Sequence, residues 1–218
     1  MSYLLYALAG YLSGSVLYSY EIPKVFCGID ICAQAKDHNP GAANVFRYAG
    51  PLPGAVCVAL DLLKGFLPVA IAAQRLTPDS PWFGLVLAAP VLGHAYPLYY
   101  GLRGGGKAIA VSFGALLGLL PDLTPALILA IYYLFFSLVA VIDPHFYRSV
   151  ITFTLFGATV ALWLATPSYT IGCVLISVVV IRRHFARYEG EKPSVHFGPH
   201  HAKQQERENR PYLQSGKL

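Results

Sequence analysis

Charged residues are scarce in this chain. They make up 12% of its 218 residues, about half of the roughly 25% found in an average soluble domain. Apolar residues make up 56%, and a soluble chain of this length could not bury that much apolar surface. The composition therefore excludes an ordinary soluble domain and indicates a membrane protein.

Cysteine is also sparse, and internal repeats and low-complexity segments are absent. Cys27, Cys32, Cys57 and Cys173 form no CxxC pair. The first two fall in a loop that the distribution of Lys and Arg assigns to the reducing cytoplasm, so we expect free thiols, with a structural metal site as the alternative. No basic residue precedes the first apolar run, which therefore reads as a retained helix rather than a secretory signal.

Long uncharged runs dominate the chain. A helix needs about 20 apolar residues to cross a bilayer, with roughly 17 as the lower end. The sequence predicts an all-α integral membrane protein, a bundle of about seven transmembrane helices with re-entrant or structured cytoplasmic loops. Three runs are short, so six spans are the alternative. Residues 1–183 would form the membrane domain and residues 184–218 a polar cytoplasmic tail. The runs cover residues 3–20, 53–73, 81–100, 108–120, 124–142, 150–165 and 168–181.

Lys and Arg fall on alternate connections between these runs. They lie on the odd-numbered loops and the tail, whereas the even-numbered loops hold almost none, Arg75 being the exception. By the positive-inside rule, the N-terminus lies outside and the odd loops and tail are cytoplasmic. The net charge of +5 is therefore mostly a topology signal. No basic face interleaved with aromatics on a soluble domain is present, so nucleic acid is not an expected partner.

The stretch GLRGGGKAIA, residues 101–110, has the G-x-x-x-x-G-K spacing of a phosphate-binding P-loop. A nucleotide-binding P-loop also needs a preceding strand and a Ser or Thr on Mg²⁺. Here a membrane span precedes the stretch and Ala108 stands at the metal position, so we reject the nucleotide site and keep the phosphate. Gly104, Gly105 and Gly106 allow a tight backbone whose N–H groups face an anion, and Lys107 adds a positive charge at a helix start.

The first cytoplasmic loop, residues 21–50, is too long for a simple link. Its segment HNPGAANVFRYAG could fold back and line a cavity. Arg47 can hold a phosphate through a planar two-pronged contact, so a pocket that gathers Arg47 and Lys107 would bind a phosphorylated anion. The alternative is that Arg47, Arg103 and Lys107 only set topology and contact anionic lipid head groups.

Two charges lie within the second apolar run. Asp61 and Lys64 are three positions apart and share one helix face. Because a charge inside the membrane is costly, we expect both to face the bundle interior and to pair with each other or with polar groups of another helix. A structural ion pair is the expected role.

Three ordered stretches resemble a known family. SGSVLYSYEIPK, then HNPGAANVFRYAG followed by VALDLLKG, then GHAYPLYYGLRGGGKAIA resemble the three cytoplasmic motifs of the bacterial integral-membrane glycerol-3-phosphate acyltransferases of the PlsY type. The resemblance covers most of residues 10–190. It implies a seven-helix protein of the bacterial plasma membrane with an extracytoplasmic N-terminus, in agreement with the charge pattern.

The resemblance also implies a reaction. Members of this family transfer a fatty acyl group from acyl-phosphate to the 1-hydroxyl of glycerol 3-phosphate, giving lysophosphatidic acid and phosphate. Acyl-phosphate, glycerol 3-phosphate and membrane lipids are thus the expected partners. Direct transfer needs no metal or organic cofactor, and none is implied. The acyl tail would lie between helices in the bilayer.

Site residues follow from the resemblance position by position. His184, Lys107 and Ser149 match the residues expected at the reacting groups, with His184 orienting the acceptor or taking its proton. The set expected to contact phosphates comprises Arg47, Lys107, Gly104, Gly105, Gly106, Asn44, Gly41, Ser15 and Asp37.

The match has departures. Asp37 stands where a family serine contacts acyl-phosphate, Ala43 replaces a usual Thr, and Arg187 replaces an Asn three residues after the family histidine. GGKGVAT becomes GGKAIAV. An Asp repels a phosphate unless it is paired or protonated, so these changes indicate a diverged branch in which donor, acceptor or activity could differ.

Other interpretations stay open. A transporter or exporter of a phosphorylated or lipid anion would use the same Arg and Lys, although transporters commonly show inverted repeats. A diverged acyltransferase with another acceptor, or a regulatory protein descended from the enzyme, are further alternatives. The pair His184 and Glu189 echoes the His-x-x-x-x-Asp motif of another acyltransferase superfamily, which we attribute to chance. HFGPHH near the C-terminus could ligate a metal, but a solvated tail is the expected state.

Overall fold

The computed structural model describes residues 1–164, 166–188 and 190–198. These residues form ten α-helices, one 3₁₀ turn, one π-helical turn and a two-stranded sheet. The helices are α1 Ser2–Gly14, α2 Tyr18–Cys27, α3 Ile31–Gln34, α4 Ala42–Tyr48, α5 Pro51–Arg75, α6 Phe83–Ala95, α7 Ile109–Leu117, α8 Thr124–Leu134, α9 His145–Trp163 and α10 Pro167–Phe185. The 3₁₀ turn is Leu98–Tyr100, the π turn is Phe135–Val139, and the strands are β1 Ala140–Asp143 and β2 Ser194–Phe197.

Three helices of the described residues are long and apolar enough to cross a membrane, namely α5, α9 and α10. A shorter apolar stretch, Thr124–Val139, continues α8 into the π turn. The predicted fold class, a helical integral membrane protein, is therefore confirmed. The count of seven spans stays a prediction.

Close helix contacts hold the bundle together. A side chain at Gly65 of α5 would overlap the backbone of α7, and one at Gly114 of α7 would overlap the backbone of α5. Small residues at such crossings let two backbones approach closely. The resulting van der Waals contacts favour helix association in a membrane, where the lipid is as apolar as the side chains. Large side chains then fill the centre of the bundle, where Phe83, Phe153 and Phe156 are fully buried.

The first long loop is folded. Its residues form the end of α2, then α3 and α4, around a small apolar cluster of Ile31, Val45 and Cys57. Asp30 begins α3 by accepting a hydrogen bond from the backbone N–H of Ala33 at 3.0 Å, the usual role of an N-cap residue. The prediction of structured loops thus holds for this segment.

The buried charges of α5 form the predicted ion pair. Lys64 Nζ lies 2.8 Å from Asp61 Oδ1, and both side chains are buried. Ser19 donates to Asp61 Oδ2 at 3.0 Å, and Lys64 also lies 2.8 Å from Nδ1 of His94. The cluster therefore ties α5 to α2 and α6. All four cysteines are free, as expected.

Residues 190–198 differ from a simple polar tail. Helix α10 runs to Phe185, and β2 pairs antiparallel with β1, from Ala140 opposite Phe197 to Asp143 opposite Ser194. Glu189, His200 and His201, which two of the alternative interpretations use, lie outside the described residues. The division of the chain at residue 183 stays a prediction.

Candidate active site

A polar cavity of about 1140 Å³ lies between the first long loop, the start of α9, the end of α10 and the two-stranded β1–β2 sheet. Residues from four distant parts of the sequence therefore meet in one space. Five predicted site residues line it: Asp37, Asn44, Arg47, Lys107 and His184.

Lys107 is the central cation of this cavity. It lies two residues before α7, and Ala108 between them adopts a left-handed conformation with φ 62°. The side chain is only 9% exposed. Its Nζ donates to Asp37 Oδ2 at 2.8 Å and lies 2.6 Å from Nε2 of His145. An ammonium always donates, so the Nε2 of His145 is the acceptor.

Asp37 is fixed from several sides. Its Oδ1 accepts hydrogen bonds from Asn44 Nδ2 at 2.9 Å and from the backbone N–H of Asn39 at 3.3 Å. Burial alone would raise the pKa of its carboxyl, but the hydrogen bond and charge of Lys107, together with the two Asn donors, hold that pKa below its ordinary value of 3.8. Asp37 is therefore ionised and paired, which is one of the two conditions under which a phosphate site tolerates it.

Arg187 joins the loop of Asp37 to the glycine-rich segment. Its Nη1 donates to the backbone carbonyl of Asp37 at 2.7 Å, and its Nη2 donates to the carbonyl of Gly105 at 3.1 Å. Arg187 also lines the cavity. It thus adds a positive charge close to the negative charge that Asp37 brings.

The glycine-rich segment serves packing in this structure. The N–H of Gly106 donates to the carbonyl of His94 at 3.1 Å, and Arg183 donates to the carbonyls of Gly105 and Gly106. A side chain at Gly106 would overlap the ring of His94. The N–H of Gly106 is therefore already bonded within the protein, and the contact of the three glycines with phosphate stays a prediction. Gly104, Gly105 and Gly106 do not line the cavity.

Ser149 and His184 hold unpaired polar atoms. Ser149 is fully buried in the first turns of α9, and its Oγ has no hydrogen-bond partner among the described residues. His184 Nδ1 lies 2.8 Å from the carbonyl of Val180, which leaves its buried Nε2 without a described partner. The rings of His184 and His145 are 6.0 Å apart. Of Ser149 and His184, only His184 lines the cavity.

Two further predicted residues lie outside the lining. Ser15 donates from its Oγ to the carbonyl of Tyr11 at 2.8 Å and accepts from the backbone N–H of Leu98 at 3.1 Å. Gly41 precedes α4 as its N-cap, and a side chain there would lie 2.5 Å from the amide of Asn39. Both positions shape the backbone, and their contact with phosphate stays a prediction.

Several lining residues were not predicted. His145 touches Lys107 although 38 positions separate them in the chain. Its place in HFYRS, four residues before Ser149, is the one signal in the sequence that could have drawn attention to it. Lys192 and His196 come from the segment around β2, which looked like a solvated tail.

The cavity is strongly cationic. Its lining carries six Lys or Arg side chains and three Asp or Glu side chains, an excess of three positive charges. Such an excess in a partly buried space concentrates anions. The cations are Lys36, Arg47, Lys107, Arg148, Arg187 and Lys192, and the acidic residues are Asp37, Asp143 and Glu191.

Fold and site together define an α-helical integral membrane protein with a cationic cavity at one end of its bundle. Comparison with known proteins gives the family. The family model "Glycerol-3-phosphate acyltransferase" matches residues 4–189. The glycerol-3-phosphate acyltransferase of Pseudoalteromonas translucida is 35% identical over 196 residues, which is 88% of this chain and 92% of that protein. The chain therefore belongs to the glycerol-3-phosphate acyltransferase family.

Other relatives agree with this assignment. The enzyme of Bordetella petrii is 33% identical over 85% of this chain and 87% of its own length. Two crystal structures of PlsY, an integral membrane glycerol 3-phosphate acyltransferase, are 28% identical in sequence to this chain. The lysophosphatidic acid form has a TM-score of 0.70 and covers 84% of this chain and 88% of its own. The glycerol 3-phosphate form has a TM-score of 0.72, with 85% and 90% covered.

Proposed function

We propose that this protein transfers a fatty acyl group from acyl-phosphate to the 1-hydroxyl of glycerol 3-phosphate, giving lysophosphatidic acid and phosphate for phospholipid synthesis. The observation that carries the proposal is the cationic cavity around buried Lys107, in a member of this family. A related solved structure is a glycerol 3-phosphate form. Two phosphate groups need counter-charges, and the excess of Lys and Arg supplies them.

The cavity residues suggest how the substrates are held. Lys107 and Arg47 would neutralise phosphate, and Asn44 would hold the loop that carries Asp37 in place. Arg47 lies on α4 and its side chain has no ion pair or hydrogen bond among the described residues, so its planar fork is available for a bidentate contact. Acyl-phosphate already carries a good leaving group, so positioning and charge neutralisation supply most of the catalysis.

His184 would handle the proton. Its Nε2 is buried at the cavity without a described partner, while the hydrogen bond of Nδ1 to a carbonyl fixes the ring and places the Nδ1 proton. The hydroxyl oxygen of glycerol 3-phosphate bonds to the acyl carbon, the bond from that carbon to the phosphate oxygen breaks, and the hydroxyl proton passes to Nε2. Ser149, buried on α9, would complete the acceptor site.

The proposal includes an orientation. The N-terminus would lie outside the bacterial plasma membrane and the motif loops in the cytoplasm, because Lys and Arg concentrate on those loops. Glycerol 3-phosphate would enter the cavity from the aqueous side, and the acyl tail of the donor would lie between helices in the lipid.

A direct assay tests the function. Detergent-solubilised protein receives palmitoyl-phosphate and labelled glycerol 3-phosphate, and labelled lysophosphatidic acid is measured. We expect product from the wild type and a loss of at least about 100-fold in Lys107→Ala. Lys24→Ala is the matched control, because Lys24 is exposed, contacts Tyr20 and lies outside the cavity.

The donor is tested in the same assay with palmitoyl-CoA in place of palmitoyl-phosphate. If product forms from palmitoyl-CoA and not from palmitoyl-phosphate, the acyl donor is acyl-CoA rather than acyl-phosphate. A folded wild type that yields no product from either donor would overturn the proposed reaction and direct the work to anion transport.

A further inference from the structure

The segment of residues 190–198, which we call the C-terminal strand segment, lies beyond the part of the chain that the family model matches, residues 4–189. It nevertheless forms part of the cavity described above. Its residues in the lining are Glu191, Lys192, Ser194, His196 and Gly198. A segment outside the family match thus contributes a wall to the candidate active site.

Two sets of contacts hold this segment in place. On one side, β2 pairs with β1, and the N–H of Gly198 donates to the carbonyl of Val139 at 3.2 Å. On the other side, the carbonyl of Glu191 accepts hydrogen bonds from the hydroxyls of Tyr147 at 3.1 Å and Tyr188 at 2.8 Å. The segment is therefore fixed at both ends, next to the start of α9.

The strand presents its polar side to the cavity. Side chains alternate between the two faces of a strand. Ser194 and His196 line the cavity, whereas Val195 and Phe197 do not and remain exposed. Lys192 adds a positive charge to the same wall. The wall thus carries hydroxyl, imidazole and ammonium groups together with the carboxylate of Glu191, and such a polar surface suits a polar, phosphorylated molecule rather than an acyl tail.

We propose that the C-terminal strand segment is the acceptor-binding wall of the cavity and sets its affinity for the phosphorylated acceptor, with Lys192 as an additional counter-charge to the phosphate. This rests on the proposed function for the identity of the acceptor as glycerol 3-phosphate. Because the acyl tail of the donor is proposed to lie in the lipid, we expect the affinity for the donor to depend little on this segment.

Two truncations separate the segment from the residues that follow it. A chain ending at Tyr188 lacks the wall, and a chain ending at Gly198 keeps it. We expect the shorter chain to show a KM for glycerol 3-phosphate raised about tenfold, with the KM for the donor and kcat within about twofold. The longer truncation should match the full-length protein.

A point variant keeps the backbone of the segment intact. Lys192→Gln removes one charge and should raise the KM for glycerol 3-phosphate about threefold, with an unchanged melting temperature. If the shorter truncation fails to fold, the KM of Lys192→Gln for glycerol 3-phosphate tests the proposal by itself. Wild-type KM for the acceptor in Lys192→Gln and in a folded shorter truncation would overturn the proposal.

A binding measurement distinguishes this inference from the proposed reaction. Glycerol 3-phosphate, or inorganic phosphate as a second probe, is titrated without donor, and the rise in melting temperature reports its binding. Weaker protection of Lys192→Gln than of wild type supports the wall even if no lysophosphatidic acid forms. Equal protection with normal wild-type turnover refutes the wall and leaves the reaction standing.

Discussion

The ammonium of Lys107 lies 2.8 Å from the carboxylate of Asp37, 70 positions earlier in the chain. A phosphate that binds Lys107 therefore meets an internal anion that already holds it. Under the proposed function, Asp37 therefore competes with the substrate phosphate for Lys107, and the phosphate would displace Asp37 or share the ammonium with it.

Neutralising Asp37 should strengthen acceptor binding. Asp37→Asn keeps the shape of the side chain and one oxygen for the bond from Asn44, but removes the charge that competes with phosphate. We expect the KM for glycerol 3-phosphate to fall about two- to fivefold, in line with the modest energy of a partly exposed ion pair. Steady-state kinetics with varied acceptor would measure this change.

Asp143→Asn is the matched control for this prediction. Asp143 lines the same cavity and makes no ion pair with Lys107, so its neutralisation changes the total charge equally without freeing the cation. A smaller fall in KM is expected there. A collapse of kcat in Asp37→Asn, with KM unchanged, would show instead that the Asp37 carboxylate takes part in the reaction.

The pair should also give a defined acid dependence of stability. Because the pKa of Asp37 in the folded protein lies below its ordinary value of 3.8, its stabilising effect is fully present above that value and is lost as the pH falls through the folded pKa. The difference between the melting temperatures of wild type and Asp37→Asn should be constant from about pH 5 to 8, begin to change below about pH 4, and level off only at a pH below the folded pKa of Asp37. His184 is common to both proteins, whereas His145 interacts with the charge of Asp37, so the comparison is made in a His145→Gln background, which removes the contribution of that imidazole. A change in this difference already near neutral pH would contradict the assignment.

Gly106 should tolerate no side chain. Its Cβ would overlap the ring of buried His94, whose Nδ1 lies 2.8 Å from Lys64 Nζ, so the ring cannot move away without losing this contact with Lys64. Gly106→Ala should cost about 2–3 kcal/mol in unfolding free energy. Gly104→Ala is the control, because Gly104 has φ 72° with open space around it, and strain alone should cost about 1 kcal/mol. Equal melting temperatures for the two variants would contradict this account.

The sequence predicted the parts of the site that lie in continuous motifs. Arg47 and Lys107 were predictable from their cationic side chains in glycine-containing loops, whereas Asp37 and Asn44 were expected from the resemblance to the second family motif. The buried pair of Asp61 and Lys64 was predictable because its i, i+3 spacing and its apolar surroundings leave few alternatives.

The remaining parts depend on tertiary contacts that no local pattern reveals. The strand β2 has four residues in a polar stretch and forms only by pairing with β1, about 50 positions away. The glycines predicted a group of N–H donors for an anion, and the structure adds what the sequence did not show: the N–H of Gly106 donates to His94, and Arg183 donates to the carbonyls of Gly105 and Gly106. Whether a glycine binds a ligand or allows close packing depends on which residues the fold places next to it.

His145 should position Lys107. Its Nε2 accepts from Lys107 Nζ at 2.6 Å, so its removal frees the ammonium on one side. We expect His145→Ala to lower kcat/KM about tenfold, as expected for a lost hydrogen bond to a charged group, chiefly through the KM for glycerol 3-phosphate. His145→Gln should restore most of this lost activity, because its amide oxygen can also accept from the ammonium.

The control is His38→Asn, since His38 lies outside the cavity and Asn tolerates its φ of 47°. A fall in kcat with a shifted pH profile that Gln does not rescue would assign His145 to proton transfer instead.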